Sequence, residues 1–472
     1  MSESFLEKGK DISLGYAAMV VFLVFGFVLG GAILFGGNIE TMFILALIFT
    51  VPLVMKLGYT YKEVQDFGWK VVMQSLEANF IILIVGTMVA ALIASGTVPL
   101  IIVIGLKLIS PKAFLLTALL VTSFTSLATG TSWGTIGTAG LAMIGIGNAL
   151  GVPPAMTAGA VISGAAFGDK MSPLSDTTNL AAAVTGTPLM THVKHMTLTT
   201  IPAYIMTAIL FTFLGFKFDA TGYDPTIVNN TVTALSGIFN FSFIELLPLA
   251  VVIFLLIKKA PPIMALLSGT ASGLILAFFR QGETIHSLLG YIYDGYSIQS
   301  GITYIDKLLN RGGIMSMISS FLIVFSAAAI TGMLSESGIL NALVRPLANN
   351  CEGSRFKTVL YTLIMGYSTN MIASSMLLSE IVPGTIMKPI FKKNNLAPQN
   401  LSRLLEDSGT LGAWLIPWNA NAIFGATMLG VSVGSFIPFV FLAWLSPLTS
   451  LIYGATGLTM IPLDKYEEKN AA

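Results

Sequence analysis

Gly168-Asp169-Lys170-Met171-Ser172-Pro173-Leu174-Ser175-Asp176-Thr177-Thr178-Asn179 interrupts an otherwise apolar segment, residues 155–186. Two carboxylates, an ammonium, a proline and a run of hydroxyl and amide side chains stand where a continuous membrane helix would run. A lone charge at the centre of such a helix costs roughly 2.5–3.5 kcal/mol on insertion scales. A broken helix whose freed backbone groups face other protein groups, or water, accommodates both the charges and the proline. The stretch is therefore read as an interruption inside a bundle of membrane helices.

The rest of the chain supports that frame. Of 472 residues, 54% are hydrophobic and 10% charged, against about 25% charged in soluble domains. A soluble chain of this length splits into domains joined by polar linkers, and none is evident. The 46 glycines are mixed with apolar residues, as suits close helix packing in lipid. Formal net charge is +1, with no basic tail or nucleic-acid signature. A single cysteine, Cys351, excludes an internal disulfide and a cysteine zinc site and is read as a loop residue. The apolar run from Ile12 to Phe35 exceeds a signal-peptide core and is read as a retained first helix.

A membrane helix takes roughly 20 apolar residues. The expected segments are 13–36, 40–56, 78–105, 113–148, 155–186 and 196–217, then 241–257, 261–279, 313–334, 356–388, 404–430 and 433–454. Segment 113–148 is too long for one crossing and is broken by Gly and Thr, so it reads as a re-entrant hairpin. Residues 1–12 form an N-terminal cytoplasmic tail, 219–240 a polar connecting loop on the outer side, and 456–472 a C-terminal tail.

Sliding the chain by about 244 residues lays Thr122–Thr135 on Gly366–Ser379, Pro173 on Pro417, and the Asp176 region on Asn419-Ala420-Asn421. Matched polar interruptions in two halves point to a transporter site. The expected fold is an all-α polytopic membrane protein of two inverted repeats, 13–218 and 241–455. Each holds about five membrane helices, a re-entrant hairpin and a broken helix. With the N-terminus inside, this topology puts most of the 24 Lys and Arg on the cytoplasmic side, including Lys8, Lys10, Lys258, Lys259, Lys388, Lys392, Lys393 and Arg403. That follows the positive-inside rule.

Sodium takes oxygen ligands, including backbone carbonyls freed by helix breaks. Asp176, Thr177, Thr178 and Asn179 supply such oxygens in four consecutive residues, with Na+ expected at Asp176, Thr177 and Asn179. Asn419 and Asn421 supply amide oxygens from the other half. Thr129, Thr131, Ser132, Thr135, Asn370, Ser374 and Ser375 line the hairpin tips, and Ser408 adjoins Asp407. Candidate proton carriers are Asp176, Asp169, Asp407 and Glu406, because a buried carboxylate that binds sodium also binds a proton. Asp169 has a second reading as a structural partner for Lys170, Asp176 as a helix cap, and Glu406 as a residue at the water interface. Trp133, Trp414 and Trp418 lie near the breaks as gates or as packing. His192 and His195 fall in an expected cytoplasmic turn.

Gly130-Thr131-Ser132-Trp133-Gly134 matches the G-x-S-x-G elbow of serine hydrolases, but that elbow needs a preceding strand, and its flanks here are membrane-helical. The phosphate loop G-x-x-x-x-G-K-[ST] is missing. An enzyme is not expected, nor a cofactor beyond transported Na+.

Gly130–Thr135, Gly168–Asn179, Glu406-Asp407-Ser408-Gly409-Thr410 and Leu415-Ile416-Pro417-Trp418-Asn419 together resemble the NhaC-type sodium/proton antiporter family of the ion-transporter superfamily. The resemblance runs from about residue 13 to 455. It implies inverted repeats with hairpins, and Na+/H+ antiport as the activity. Exchange of malate and protons against sodium and lactate, known within that family, is the alternative, and a passive channel a third. An organic acid needs a cationic or dipolar partner, for which Lys170 and the half-helix N-termini are candidates. No arginine is expected inside a span. The expected setting is a prokaryotic plasma membrane, with a lipid bilayer around the chain and homodimer formation left open.

Overall fold

The computed structural model describes residues 12–217, 225–301, 305–306, 309–351 and 353–471. Among them the chain is helical, with one isolated β-bridge, between Leu396 and Pro462. Among the described residues, six helices are long and apolar enough to cross a membrane: Leu14–Ala32, Leu76–Ala94, Pro111–Thr129, Leu189–Lys217, Pro262–Arg280 and Met315–Glu336. Two more pairs, Asn229–Ile238 with Phe243–Ile257 and Ala420–Leu429 with Val433–Phe439, qualify together but bend by 93° and 91°. Large apolar side chains such as Phe22, Ile48, Phe124 and Phe279 point outward, while Asp169, Lys170, Asp407 and Glu406 are buried. Apolar outside and charged inside is the arrangement of a chain solvated by lipid. The protein is an all-α polytopic membrane protein.

Several boundaries depart from the expected ones. Segment 78–105 is two helices, Leu76–Ala94 and Thr97–Leu108, meeting at Gly96 in the left-handed region (φ +79). Tyr61–Gln74 is a further helix, started by a capping box in which Thr60 and Glu63 satisfy each other's backbone N–H groups. Residues 225–238 were expected in the polar loop but form helix Pro225–Ile238; its apolar positions include Leu235, which is fully buried. Residues 219–224 of that loop, residue 218 before it and 1–11 of the N-terminal tail lie outside the described residues. Within the 456–472 tail, Leu463–Ala471 is helical. Cys351 is buried at the end of helix Ile339–Asn349, its thiol 3.3 Å from the Leu347 carbonyl.

Two helical hairpins and two broken helices make the centre. The first hairpin rises along Pro111–Thr129 and turns at Gly130 (φ +73). It returns through Ser132–Thr135, a π-turn over Ile136–Gly140, and Leu141–Ala149. Its arms lie side by side, since a Cβ on Gly147 would stand 2.8 Å from the Phe114 ring. The second hairpin pairs Arg355–Ala373 with Leu378–Lys393 and turns at Ser374 (φ +48). Asn394 clips its open end, donating to Thr358 Oγ1 (2.8 Å) and the Cys351 carbonyl (2.9 Å). The first broken helix is Pro154–Met171 and Asp176–Thr185. The second is Pro398–Leu405, a π-turn Glu406–Thr410, a 3-10 turn Gly412–Leu415, and Ala420–Leu429. Each half packs its hairpin on its broken helix through glycines that let backbones touch: Gly164 and Gly168 against Thr122, Ser126 and Leu127, and Gly366 against Ser408.

These elements recur at one spacing. Helix Pro111–Thr129 and helix Arg355–Ala373 are 244 positions apart at both ends. So are the turns Gly130 and Ser374, the starts Pro154 and Pro398, and the post-break helices Asp176–Thr185 and Ala420–Leu429 with their left-handed caps Gly186 and Gly430. Hydrogen bonds recur as well. Ser126 Oγ donates to the Ala165 carbonyl at 2.6 Å, and Asn370 Nδ2, 244 residues on, donates to the Gly409 carbonyl at 2.8 Å.

Candidate functional site

Pro173 follows the first arm of its broken helix, and Ser175 takes the cap position of the next. The break leaves Asp169 one turn inside the helix end, at 7% exposure. Ser175 Oγ donates to Asp169 Oδ1 and Ser132 Oγ to Oδ2, each at 2.6 Å. Thr177 Oγ1 is 3.0 Å from Ser175 Oγ. Asp169 enters no ion pair among the described residues. Thr178 is buried and donates to the carbonyl of Lys170 (2.9 Å). Asp176 and Asn179 instead stand on the exposed side of the same break, and the Asn179 amide donates to the Pro173 and Ser175 carbonyls.

The first hairpin tip touches both breaks through consecutive residues. Ser132 reaches Asp169, and Trp133 Nε1 donates to Asn421 Oδ1 at 2.6 Å while its ring stacks on Phe424 at 4.2 Å. At the second break, Asn419 Oδ1 accepts from the Asn421 backbone N–H and side-chain amide, and Asn419 Nδ2 donates to Asn370 Oδ1 at 3.1 Å. Asn370 Nδ2 in turn holds the Ser408 and Gly409 carbonyls. Thr129 and Thr135 lie 3.4 Å apart at the first tip, while Thr131 and Ser375 are half-buried. Ser374 Oγ is buried with no hydrogen-bond partner. Trp418 Nε1 donates to the Met371 carbonyl and its ring stacks on Phe25, whereas Trp414 is fully buried with an unbonded Nε1.

The two broken helices are tied by a buried ion pair. Lys170 Nζ contacts Asp407 Oδ1 and donates to Ser446 Oγ at 3.1 Å. Ser446 and Ser450 donate to the two Asp407 oxygens at 2.5 and 2.6 Å. Lys170 is thus engaged by Asp407 rather than by Asp169.

Three readings from the sequence need correction. Arg403 does lie within a helix, Pro398–Leu405, and is fully buried. Thr459 Oγ1 at 3.0 Å, Met460 Sδ and the Tyr453 ring make that position tolerable for a guanidinium. His192 and His195 are not in a turn but in the first turns of helix Leu189–Lys217, both buried. They face the second broken helix, His192 Nδ1 on Ser402 Oγ (2.7 Å) and His195 Nε2 on Asn400 Oδ1 (3.1 Å). Glu406 is fully buried, not at an interface. Thr410 Oγ1 sits 2.5 Å from Glu406 Oε2 and 2.8 Å from Glu380 Oε1.

Sequence reasoning passed over Glu380, Thr410, Ser175, Ser446 and Ser450. Glu380 falls inside the expected 356–388 segment, and a carboxylate at membrane depth is itself a functional signal. The serines carried no comparable mark, because nothing local shows which hydroxyl meets which acid.

A family model described as the Na+/H+ antiporter family matches residues 9–173 and 164–458. The chain belongs to that family. A Malate-2H(+)/Na(+)-lactate antiporter of Bacillus subtilis is 38% identical over 85% of this chain and 86% of its own length. The Na(+)/H(+) antiporter NhaC of Alkalihalophilus pseudofirmus is 39% identical over 80% and 82%. The arginine/ornithine antiporter ArcD of Halobacterium salinarum is 32% identical over 97% and 95%. As a member of the Na+/H+ antiporter family, the protein is a secondary antiporter embedded in a membrane and not an enzyme.

Proposed function

We propose that this antiporter exchanges Na+ for protons at Asp169. Ser132, Ser175 and Thr177 add hydroxyl oxygens, and Asp176 and Asn179 stand at the exposed approach. The observation that carries this reading is the charge state of the site: Asp169 is a buried carboxylate with two hydroxyl donors and no cationic partner among the described residues. An uncompensated buried carboxylate is costly, so it takes up a cation or a proton. With Na+ present the serine hydroxyls turn their lone pairs inward and become ligands; with a proton present they solvate the acid. Competition between the two couples the fluxes, and alternating access carries the site across. The 244-residue recurrence supports two inverted repeats, 13–218 and 241–455, with the breaks near the bilayer midplane. The family's members support a cell membrane as the setting.

Organic-acid exchange, as named for the Bacillus subtilis relative, needs a cationic or dipolar partner for the substrate carboxylate, and Lys170 is the cationic candidate. The engagement of Lys170 by Asp407 favours inorganic exchange. Proteoliposomes with a trapped pH dye test the proposal. Na+ gradients are expected to drive proton movement in the unchanged protein and none above background in Asp169→Asn, while labelled malate and lactate fail to accumulate. Unimpaired Na+-driven proton flux in Asp169→Asn would sink the assignment.

A further inference from the structure

A second acidic group lies behind Asp169, on residues the sodium site does not use. Glu380, Glu406, Thr410 and His192 are each within the buried interior, and Glu380, Glu406 and His192 are fully enclosed. The Thr410 hydroxyl lies within hydrogen-bond distance of both Glu406 Oε2 and Glu380 Oε1. A hydroxyl has one hydrogen and donates once. The second contact therefore needs a hydrogen from the acid, so one of the two carboxyl groups is protonated in this arrangement.

His192 is an independent sign of the same ligand. Ser402 Oγ donates to the Gln399 carbonyl at 3.2 Å, so its contact with His192 Nδ1 is an acceptance from Nδ1–H. In a neutral imidazole that leaves Nε2 as a bare lone pair. Nε2 has no hydrogen-bond partner and is 4.0 Å from Glu406 Oε1, which also has none; Glu380 Oε2 is a third unpartnered atom. Three buried acceptors lack hydrogens, two of them 4.0 Å apart, and no group of three His, Cys, Asp or Glu among the described residues is arranged to hold a metal. The ligand that fits is a proton.

We propose that Glu380 and Glu406 hold one proton between them across the Thr410 hydroxyl, that His192 Nε2 exchanges it, and that Na+ binding at Asp169 expels it. This rests on the Asp169 reading for its trigger. The step is a proton transfer only: the O–H of the shared acid breaks, Nε2–H forms, and the Glu pair gains one negative charge. Asp169, Glu380 and Glu406 are near enough to act on one another's charge, so a cation at Asp169 favours that ionised state. The other charged groups packed around the pair come in offset combinations. Lys170 is paired with Asp407. Arg403 is within electrostatic reach of Asp407 and Tyr453, His195 of Arg403 and His192, and Tyr367 of Asp407.

The test counts protons released when Na+ is added, against K+, to the purified full-length protein in weakly buffered detergent solution. Sodium binding is followed separately as a rise in unfolding temperature. In Glu380→Gln the amide N–H takes the place of the acid proton toward Thr410, so the variant is expected to bind Na+ and release about one proton fewer per ion. An unchanged proton count in Glu380→Gln overturns the shared proton. If that variant does not fold, infrared difference spectra of the unchanged protein decide: a protonated-carboxyl band that disappears on Na+ addition is expected, shifted in Thr410→Val, and its absence overturns the proposal. Sodium binding of ordinary affinity in Asp169→Asn would remove the trigger and the Asp169 reading, while leaving the proton count to judge the Glu pair.

Discussion

Asp169 and Asp407 occupy comparable settings with opposite consequences. Both are buried, both lie on a broken helix near its interruption, and each receives two hydroxyls at about hydrogen-bond length: Ser132 and Ser175 for one, Ser446 and Ser450 for the other. The difference is one ammonium. Lys170, adjacent in sequence to Asp169, turns away from it and neutralises Asp407 instead. One carboxylate is thereby closed as a structural tie between the broken helices, and the other has no cationic partner among the described residues. Sequence adjacency of an acid and a base was no guide to which acid the base serves.

The comparison breaks most sharply at Asp407. Asp407→Asn strands Lys170 in the interior, and losing one partner of a buried pair costs about 3–5 kcal/mol. The expected result is a large fall in unfolding temperature and in folded yield, read by fluorescence-detected size exclusion, where Asp169→Asn keeps its fold and loses only transport. Adding Lys170→Met to Asp407→Asn is expected to restore most of that stability, since it removes the stranded charge. Equal damage from Asp169→Asn and Asp407→Asn would erase the distinction.

A middle-sized effect is expected at Gly168, just before the Asp169-Lys170 pair. A Cβ there would overlap the backbone of Leu127 and the side chain of Ser126. Gly168→Ala is expected to cost about 1–3 kcal/mol by overpacking and to weaken Na+ binding, measured as sodium-dependent thermal stabilisation, by displacing Asp169 from the hairpin. The smallest effect concerns the link between the two breaks. Trp133→Phe keeps the stack on Phe424 but removes the bond to Asn421. It is expected to cost about 1 kcal/mol and to slow exchange without abolishing it, in the same proteoliposome assay.

Much of this architecture was legible in the chain. The Gly168–Asn179 interruption and its counterpart around Asn419 marked both breaks, because charge and proline are expensive in lipid wherever they occur. The 244-residue offset was visible from polar positions alone, and the helix boundaries follow it at Pro154 and Pro398, Gly130 and Ser374. Partnership was not legible. Asp176 looked the richest sodium ligand because oxygens crowd around it in sequence, yet helix geometry turns it and Asn179 to the exposed side and Asp169 inward. Helix Leu189–Lys217 begins earlier than hydropathy suggested, since the buried faces of His192 and His195 are satisfied by Ser402 and Asn400 rather than by apolar contact. Arg403 was hidden by the same fact: its partners Thr459 and Met460 lie more than 50 residues away.

That distance bears on how the protein is made. Asn400 gives its amide hydrogen to the Ile461 carbonyl and accepts from the Ile461 N–H, 61 residues further along, and Ala397 N–H also reaches Ile461. Translation delivers residues 397–403 to the membrane well before 459–461 exist. The partners of Asn400 and Arg403 at the entrance of the second broken helix are therefore missing until the later segment is made. Assembly of this half is finished only when a segment made afterwards folds back onto a helix made before.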